Sequence, residues 1–74
     1  MLLTKKEKFF NMTINLGPKL RSRRQQMGLT QLELADKIEV SESYICQIEK
    51  GKMVSLKKLE QIAKALKCEA KDLL

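Results

Sequence analysis

The sequence of 74 residues contains no histidine and no tryptophan, and aromatic residues make up only 4% of it. Without histidine, neither a Ser–His nor a Cys–His catalytic arrangement can form. Cys46 and Cys68 are 22 positions apart, which fits neither a CxxC pair nor the ligand spacing of a zinc site. Glycine patterns that cradle phosphates or dinucleotides are also missing. We therefore predict a protein that is not an enzyme and has no cofactor or metal.

Long apolar runs are absent as well. No stretch approaches the roughly 18 apolar residues of a membrane span, and the chain does not open with a signal-peptide pattern. We expect a cytoplasmic protein with two reduced thiols, no membrane partner and no evident small-molecule substrate. A chain this short buries roughly 60% of its unfolded surface, which allows one modest aliphatic core.

Positive charge is unevenly distributed along the chain, whose formal net charge is +6. Residues 1–24 hold seven Lys or Arg and one acidic residue, whereas the other fifty residues balance eight Lys against eight acidic residues. A second all-positive stretch comprises Lys50, Lys52, Lys57 and Lys58. Such clusters favour a polyanion partner, although an ordinary solvated basic surface has the same composition.

The sequence predicts five helices. No strand is predicted, because no alternating run of β-branched residues reaches strand length. The first helix begins near Asn15, carries Pro18 in its first turn and ends at Gly28. Three more helices follow hydroxyl caps, and a last turn covers residues 70–74. The caps are Thr30, with Glu33 in the capping-box position, Ser41 and Ser55. Apolar residues at helical spacing are expected in the core: Leu16, Leu20, Met27, Leu34, Ala35, Ile38, Ile45, Ile48, Leu56, Leu59, Ile62, Ala63 and Leu66.

The segment 29–51 contains two of these short helices, joined by a break of only two residues. Ala35 is predicted at their crossing point, where a larger side chain would push the helices apart. Ile45 and Ile48 would hold the second helix of the pair on the first. A pair of this kind with a polar outer face is what a helix-turn-helix DNA reader requires.

The outer face of the second helix in the pair is predicted to contact DNA bases. Gln47 can both donate to and accept from adenine, and Ser43 can serve several bases. Glu42 can accept from cytosine but also repels phosphate. The full set of predicted base contacts is Glu42, Ser43, Gln47 and Cys46. The alternative interpretation is a plain solvent-exposed helix face.

Phosphate contacts are predicted at the two ends of the pair. Gln31 lies in the first turn of its helix, where free N–H groups and the helix dipole favour an anion. The predicted set is Gln31, Ser41, Tyr44, Lys50, Lys52 and Lys57. A Lys52 substitution would then weaken specific and random binding alike.

Arg24 and Glu49 each lie on an otherwise apolar helix stripe. A buried charge needs a partner, so we predict that they pair with each other and tie the first helix to the third. The predicted role of this salt bridge is structural.

The motif Gly28-Leu29-Thr30-Gln31-x-x-Leu34-Ala35, followed by Val40-Ser41-x-Ser43-Tyr44-Ile45-x-x-Ile48-Glu49-x-Gly51-Lys52, resembles the phage repressor and Cro family of Xre-type helix-turn-helix domains. The resemblance extends from about Leu16 to Leu74. It implies a five-helix DNA-binding domain that works as a dimer on a palindromic operator. It also implies a phosphate contact at Gln31 and a buried salt bridge between Arg24 and Glu49. The small size further resembles restriction–modification controller proteins.

Four residues depart from the family pattern. Glu39 and Lys67 stand where the family usually has glycine, so each must accept left-handed geometry at about 1 kcal/mol or reshape its turn. Glu42 stands where Arg or Gln is frequent, and Cys46 replaces a common serine.

The sequence as a whole predicts an all-α, compact five-helix repressor-like DNA-binding domain over residues 15–74. Residues 1–14 are predicted to form a basic arm or a short helix. The expected function is a transcriptional regulator of bacterial, phage or plasmid origin that binds double-stranded DNA as a homodimer. The candidate dimer surfaces are Leu73 and Leu74 with the end of the fourth helix, or the N-terminal arm that contains Phe9 and Phe10. The alternative function is a protein-interaction module of the same fold, antitoxin-like or anti-repressor, with weak or no DNA binding.

Overall fold

The computed structural model describes residues 13–74, with side chains from Asn15 onward. The predicted N-terminal arm or short helix therefore lies, up to residue 12, outside the described residues. In chain order the elements are β1 (Thr13–Ile14), α1 (Gly17–Gln26), α2 (Gln31–Lys37), α3 (Glu42–Glu49), β2 (Val54–Ser55), α4 (Leu56–Ala65) and a 3-10 helix (Ala70–Leu73). The all-α class is confirmed. None of the described helices is long and apolar enough to span a membrane.

The hydroxyl caps determine where three of the helices begin. The Thr30 hydroxyl accepts from the Glu33 amide at 3.0 Å, and the Glu33 carboxylate accepts from the Thr30 amide at 2.9 Å. Ser41 caps α3 by accepting from the Tyr44 amide at 3.1 Å, and Ser55 caps α4 in the same way. The predicted caps are confirmed. Each satisfies a backbone N–H that has no partner inside its helix.

One aliphatic core joins the four helices and the 3-10 helix. Its buried members are Leu16, Leu20, Leu34, Ala35, Ile45, Ile48, Val54, Leu59, Ile62, Ala63, Leu66 and Leu73. Met27, Ile38 and Leu56, which were also expected in the core, are half-buried and pack against this cluster. Among the charged residues of the described part of the chain, Arg24 is the only one that is buried when backbone and side chain are counted together.

Three sequence-based predictions about secondary structure need correction. The prediction of no strand is wrong, because β1 and β2 form a short antiparallel pair in which Thr13 lies opposite Ser55 and Ile14 opposite Val54. Two residues per strand are too few to leave an alternating pattern in a sequence. The predicted fifth helix is a 3-10 turn, and α1 begins two residues later than Asn15.

The two turns without the usual glycine adopt the backbone that glycine would favour. Glu39 has φ of 58° and Lys67 has φ of 54°. Both side chains are exposed, so neither is forced against a neighbour by this conformation. The chain therefore accepts left-handed geometry at these positions rather than reshaping the turns, at about 1 kcal/mol each.

Candidate nucleic-acid interface

Helices α2 and α3 pack directly against each other and leave one face of α3 in solvent. Ala35 on α2 is fully buried, as are Ile45 and Ile48 on α3. The Val40 amide donates to the Ala35 carbonyl at 3.0 Å, which closes the short turn between the helices. This packing fixes the direction in which α3 presents its outer residues.

The outer face of α3 holds an ordered group of polar side chains. Gln47 donates through Nε2 to the Ser43 hydroxyl at 3.3 Å, and Lys52 donates to Gln47 Oε1 at 3.4 Å. Glu42, Ser43 and Gln47 are exposed, whereas Cys46 is half-buried. Three of the four predicted base contacts therefore lie open to solvent, and two of them are hydrogen-bonded to each other.

The Tyr44 ring lies within 6 Å of two ammonium groups. The Nζ atoms of Lys52 and Lys58 are 5.7 and 5.9 Å from the centre of its ring. These distances allow cation–π attraction, which gathers both charges at one point. Lys58 was not predicted as a site residue, since the sequence does not indicate which lysine at the start of α4 approaches Tyr44.

The other predicted phosphate contacts, Gln31, Ser41, Lys50 and Lys57, lie at the ends of helices. Lys50 follows the last residue of α3, and Lys57 lies in the first turn of α4. Both are exposed. Ser41 uses its hydroxyl oxygen as the cap of α3 and retains its hydroxyl proton as a donor. Gln31 is half-buried at the first position of α2.

Arg24 and Glu49 are in direct contact beneath this surface. Arg24 Nε lies 2.6 Å from Glu49 Oε2, and Nη2 donates to Oε1 at 3.1 Å. The two side chains are 10% and 5% exposed. Arg24 Nη1 also donates to the Leu29 carbonyl at 2.8 Å, and Gln31 Nε2 donates to Glu49 Oε1 at 3.1 Å. The contact from Gln31 was not foreseen in the sequence.

The hydrogen bonds of Arg24 and Glu49 favour the ionised form of both side chains. Burial raises the pKa of the Glu49 carboxyl, but hydrogen bonds from Arg24 and Gln31 and the positive charges of Arg24 and Arg21 together outweigh burial, so that the pKa falls below its usual value. The hydrogen bond from Arg24 to Glu49 raises the pKa of Arg24 against the opposing effect of burial. Both groups are therefore ionised at neutral pH.

Comparison with known proteins agrees with this geometry. The sequence matches the helix-turn-helix family over residues 20–73. The chain belongs to this helix-turn-helix family. It is a DNA-binding transcription regulator of the Xre type, as its sequence motif predicted. Comparison with curated proteins gives no significant match.

Two solved structures of regulators resemble this helix-turn-helix chain. The restriction–modification controller protein C.AhdI from Aeromonas hydrophila has a TM-score of 0.76 and 34% identity, covering 82% of this chain and 94% of its own. The clp gene regulator ClgR from Corynebacterium glutamicum has a TM-score of 0.76 and 38% identity, covering 80% of this chain and 77% of its own. The FeII protein HppE also has a TM-score of 0.76, but at 23% identity and over 34% of its chain, so it shares the fold alone.

Basic residues near the start of the helix-turn-helix domain have structural contacts. Arg23 donates through Nε to the Leu66 carbonyl at 3.2 Å and through Nη2 to the Lys67 carbonyl at 3.3 Å. These carbonyls lie at the C-terminal end of α4, where a cation is favourable. Lys19 donates to the Leu74 carbonyl. Part of the positive charge that suggested a polyanion partner is therefore used within the fold.

Proposed function

We propose that this regulator binds double-stranded DNA in a sequence-specific manner, as a homodimer on a palindromic operator, with α3 in the major groove. The observation that carries the proposal is the hydrogen-bonded group formed by Ser43 and Gln47 on the exposed face of α3 and by Lys52, which follows this helix. In a dimer the two recognition helices would lie about 34 Å apart, one in each of two successive major grooves.

Gln47 is the proposed principal base reader. Its amide nitrogen carries two hydrogens and its oxygen two lone pairs, and the contacts with Ser43 and Lys52 use one of each. One donor and one acceptor are left, which is the pair needed by adenine N7 and N6. The two contacts also fix the amide orientation before DNA arrives, which lowers the entropy lost on binding.

Phosphate binding is assigned to residues on both sides of the recognition helix. Gln31 would contact phosphate at the start of α2, with Ser41 and Tyr44 near the start of α3. Lys50, Lys52 and Lys57 would supply the positive charge. Glu42 and Cys46 remain proposed base contacts at the edge of the reading face. Leu73, a candidate dimer residue, is buried in the core, whereas Leu74 is 53% exposed and stays available for a dimer contact.

Titration of the protein against a labelled mixed-sequence duplex at several salt concentrations tests the proposed function. Six lysine–phosphate contacts in a dimer predict that log K falls with log salt at a slope of about −5. Sedimentation equilibrium of the complex gives the number of protomers. Absence of binding even at low salt would refute DNA recognition and favour the protein-interaction module.

Replacing Gln47 with Ala should weaken binding to a selected operator by roughly 1–3 kcal/mol and leave binding to mixed-sequence DNA nearly unchanged. The physical reason is that only base pairs of the right kind match the free donor and acceptor of the amide. The operator would be obtained by selection from a random duplex pool, and both affinities measured by fluorescence anisotropy.

Lysine variants are the matched controls for Gln47→Ala. Lys57→Ala should weaken both DNAs by the same factor, since Lys57 would contact phosphate alone. Lys52→Met should weaken the operator more than mixed-sequence DNA, because Lys52 also orients Gln47. This expectation replaces the sequence-based one, in which Lys52 affected both DNAs alike. Equal losses on both DNAs for Gln47→Ala would remove Gln47 from the base readers.

A further inference from the structure

We propose that Arg24 and Glu49 act as positioning residues for DNA binding, holding the Gln31 amide where it meets a phosphate. This inference rests on the proposed function and adds a role to the structural one predicted for the pair. The buried ion pair would affect the contact between Gln31 and phosphate, although neither Arg24 nor Glu49 touches the phosphate.

Glu49 is shared between Arg24 and Gln31. Its Oε2 accepts only from Arg24 among the hydrogen bonds of the described residues, whereas its Oε1 accepts from both Arg24 and Gln31 at 3.1 Å. The arginine holds the carboxylate in one plane through two parallel contacts. Because the carboxylate cannot rotate, the Gln31 amide that binds to it is also held in one direction.

Arg24 fixes the start of α2 by a second route. Its Nη1 donates to the Leu29 carbonyl at 2.8 Å, and the Leu29 amide donates back to the Arg24 carbonyl at 3.1 Å. Leu29 immediately precedes Thr30, the cap residue from which α2 begins. The Arg24 guanidinium therefore holds both the backbone that precedes Gln31 and the Glu49 carboxylate that accepts a hydrogen bond from the Gln31 side chain.

The Gln31 amide keeps a donor for a ligand in this arrangement. An amide nitrogen carries two hydrogens, and one of them is donated to Glu49. Because the first is fixed, the direction of the second is fixed as well. Gln31 is half-buried, so this second hydrogen sits on a side chain that has already lost most of its freedom.

The ion pair also removes an electrostatic obstacle. Glu49 lies one hydrogen bond away from a side chain assigned to phosphate, and an unpaired carboxylate there would repel the DNA backbone. Arg24 neutralises that charge from the side of α1. Replacing both Arg24 and Glu49 with uncharged residues would leave the net charge near Gln31 unchanged. It would, however, remove the carboxylate that orients the Gln31 amide.

A double-mutant cycle on a mixed-sequence duplex tests this role. Gln31→Ala would be measured in the wild-type chain and in the doubly substituted Arg24→Met, Glu49→Met chain, with folding of each checked by circular dichroism. In the wild-type chain we expect Gln31→Ala to reduce affinity about ten-fold for each bound protomer, as for one hydrogen bond to a charged group. In the doubly substituted chain it should change affinity less than about two-fold, since the amide is no longer held.

Lys57→Ala is the matched control for the cycle, because its proposed phosphate contact does not involve the pair. It should reduce affinity by the same factor in both chains. The same Gln31 factor in both chains would refute the positioning role, and so would a wild-type chain that binds DNA but is insensitive to Gln31→Ala. A wild-type chain that binds no duplex at low salt would instead refute the proposed function.

Nuclear magnetic resonance of the free protein provides a readout that needs no DNA. The Gln31 side-chain amide should give two well-separated proton signals in the wild-type chain, because one hydrogen is bound to a carboxylate. The signals should move to the positions of an unbound glutamine in the doubly substituted chain. Unchanged signals in a folded, doubly substituted chain would overturn the inference.

Discussion

Arg24→Met alone is expected to lower the free energy of unfolding by roughly 3–5 kcal/mol. The substitution leaves the Glu49 carboxylate, which is 5% exposed, without its counter-charge. It also removes the donor to the Leu29 carbonyl. Chemical denaturation followed by circular dichroism measures the loss directly, and a midpoint equal to that of the wild type would contradict it.

The double substitution Arg24→Met, Glu49→Met removes the ion pair without leaving an unpaired buried charge. Comparing it with Arg24→Met therefore separates the free-energy cost of losing the pair from the cost of burying an unpaired charge. Two methionines fill a similar volume without charge, and such replacements are often neutral. The Leu29 carbonyl and the Gln31 amide still lose a partner, so we expect this chain to be within about 2 kcal/mol of the wild type. A double variant no more stable than Arg24→Met would mean that packing, not charge, dominates the site.

The dependence of protein stability on acidic pH is a second test of the Arg24–Glu49 pair. The pKa of Glu49 is lowered in the folded chain, so the unfolded chain binds a proton at higher pH than the folded one. The stability supplied by the pair is therefore present above the ordinary glutamate pKa of about 4.3 and is lost as the pH falls through the folded value. The doubly substituted chain should lose less stability over this acidic range than the wild type.

Local signals in the sequence were sufficient for most of the fold. A hydroxyl residue before an apolar-periodic segment predicted the starts of α2, α3 and α4, since a cap acts within three residues of itself. The pairing of Arg24 with Glu49 could be proposed from charges on apolar stripes, because burial leaves few ways to satisfy them. A helix cap depends only on residues close to it in the sequence. The pairing of Arg24 with Glu49 follows from the high free-energy cost of burying an unpaired charge.

Features that depend on distant backbone were not predictable in the same way. The β1–β2 pair joins segments about forty positions apart through two residues each. The approach of Lys58 to Tyr44 and of Gln31 to Glu49 depends on how helices pack, not on their own sequences. The positions of the helices were therefore better predicted than the side-chain contacts between them.

Gly17 is the residue whose importance the sequence least revealed. It is buried at the first position of α1, and a Cβ added there would lie 2.8 Å from the carbonyl oxygens of both Ile48 and Glu49. Those are backbone atoms at the end of α3, so the helix itself would have to move. Glycine at this point allows α1 to approach the helix proposed to read DNA.

Gly17→Ala should therefore destabilise the protein by about 3 kcal/mol, although alanine is the better helix former. Displacement of the end of α3 would also move Glu49, and with it the Gln31 amide, so affinity for mixed-sequence DNA should fall in the chains that remain folded. Thermal unfolding and anisotropy on the same samples would measure both effects.

Gly28→Ala is the matched control for Gly17→Ala, since it also adds one methyl group to a glycine next to α1. Gly28 has φ of 70°, and a Cβ there would meet nothing within 4 Å. The expected loss is about 1 kcal/mol from the left-handed backbone alone, with DNA affinity unchanged. If Gly17→Ala destabilised the protein no more than Gly28→Ala, the close approach of α1 to the end of α3 would not be what fixes the position of the recognition helix.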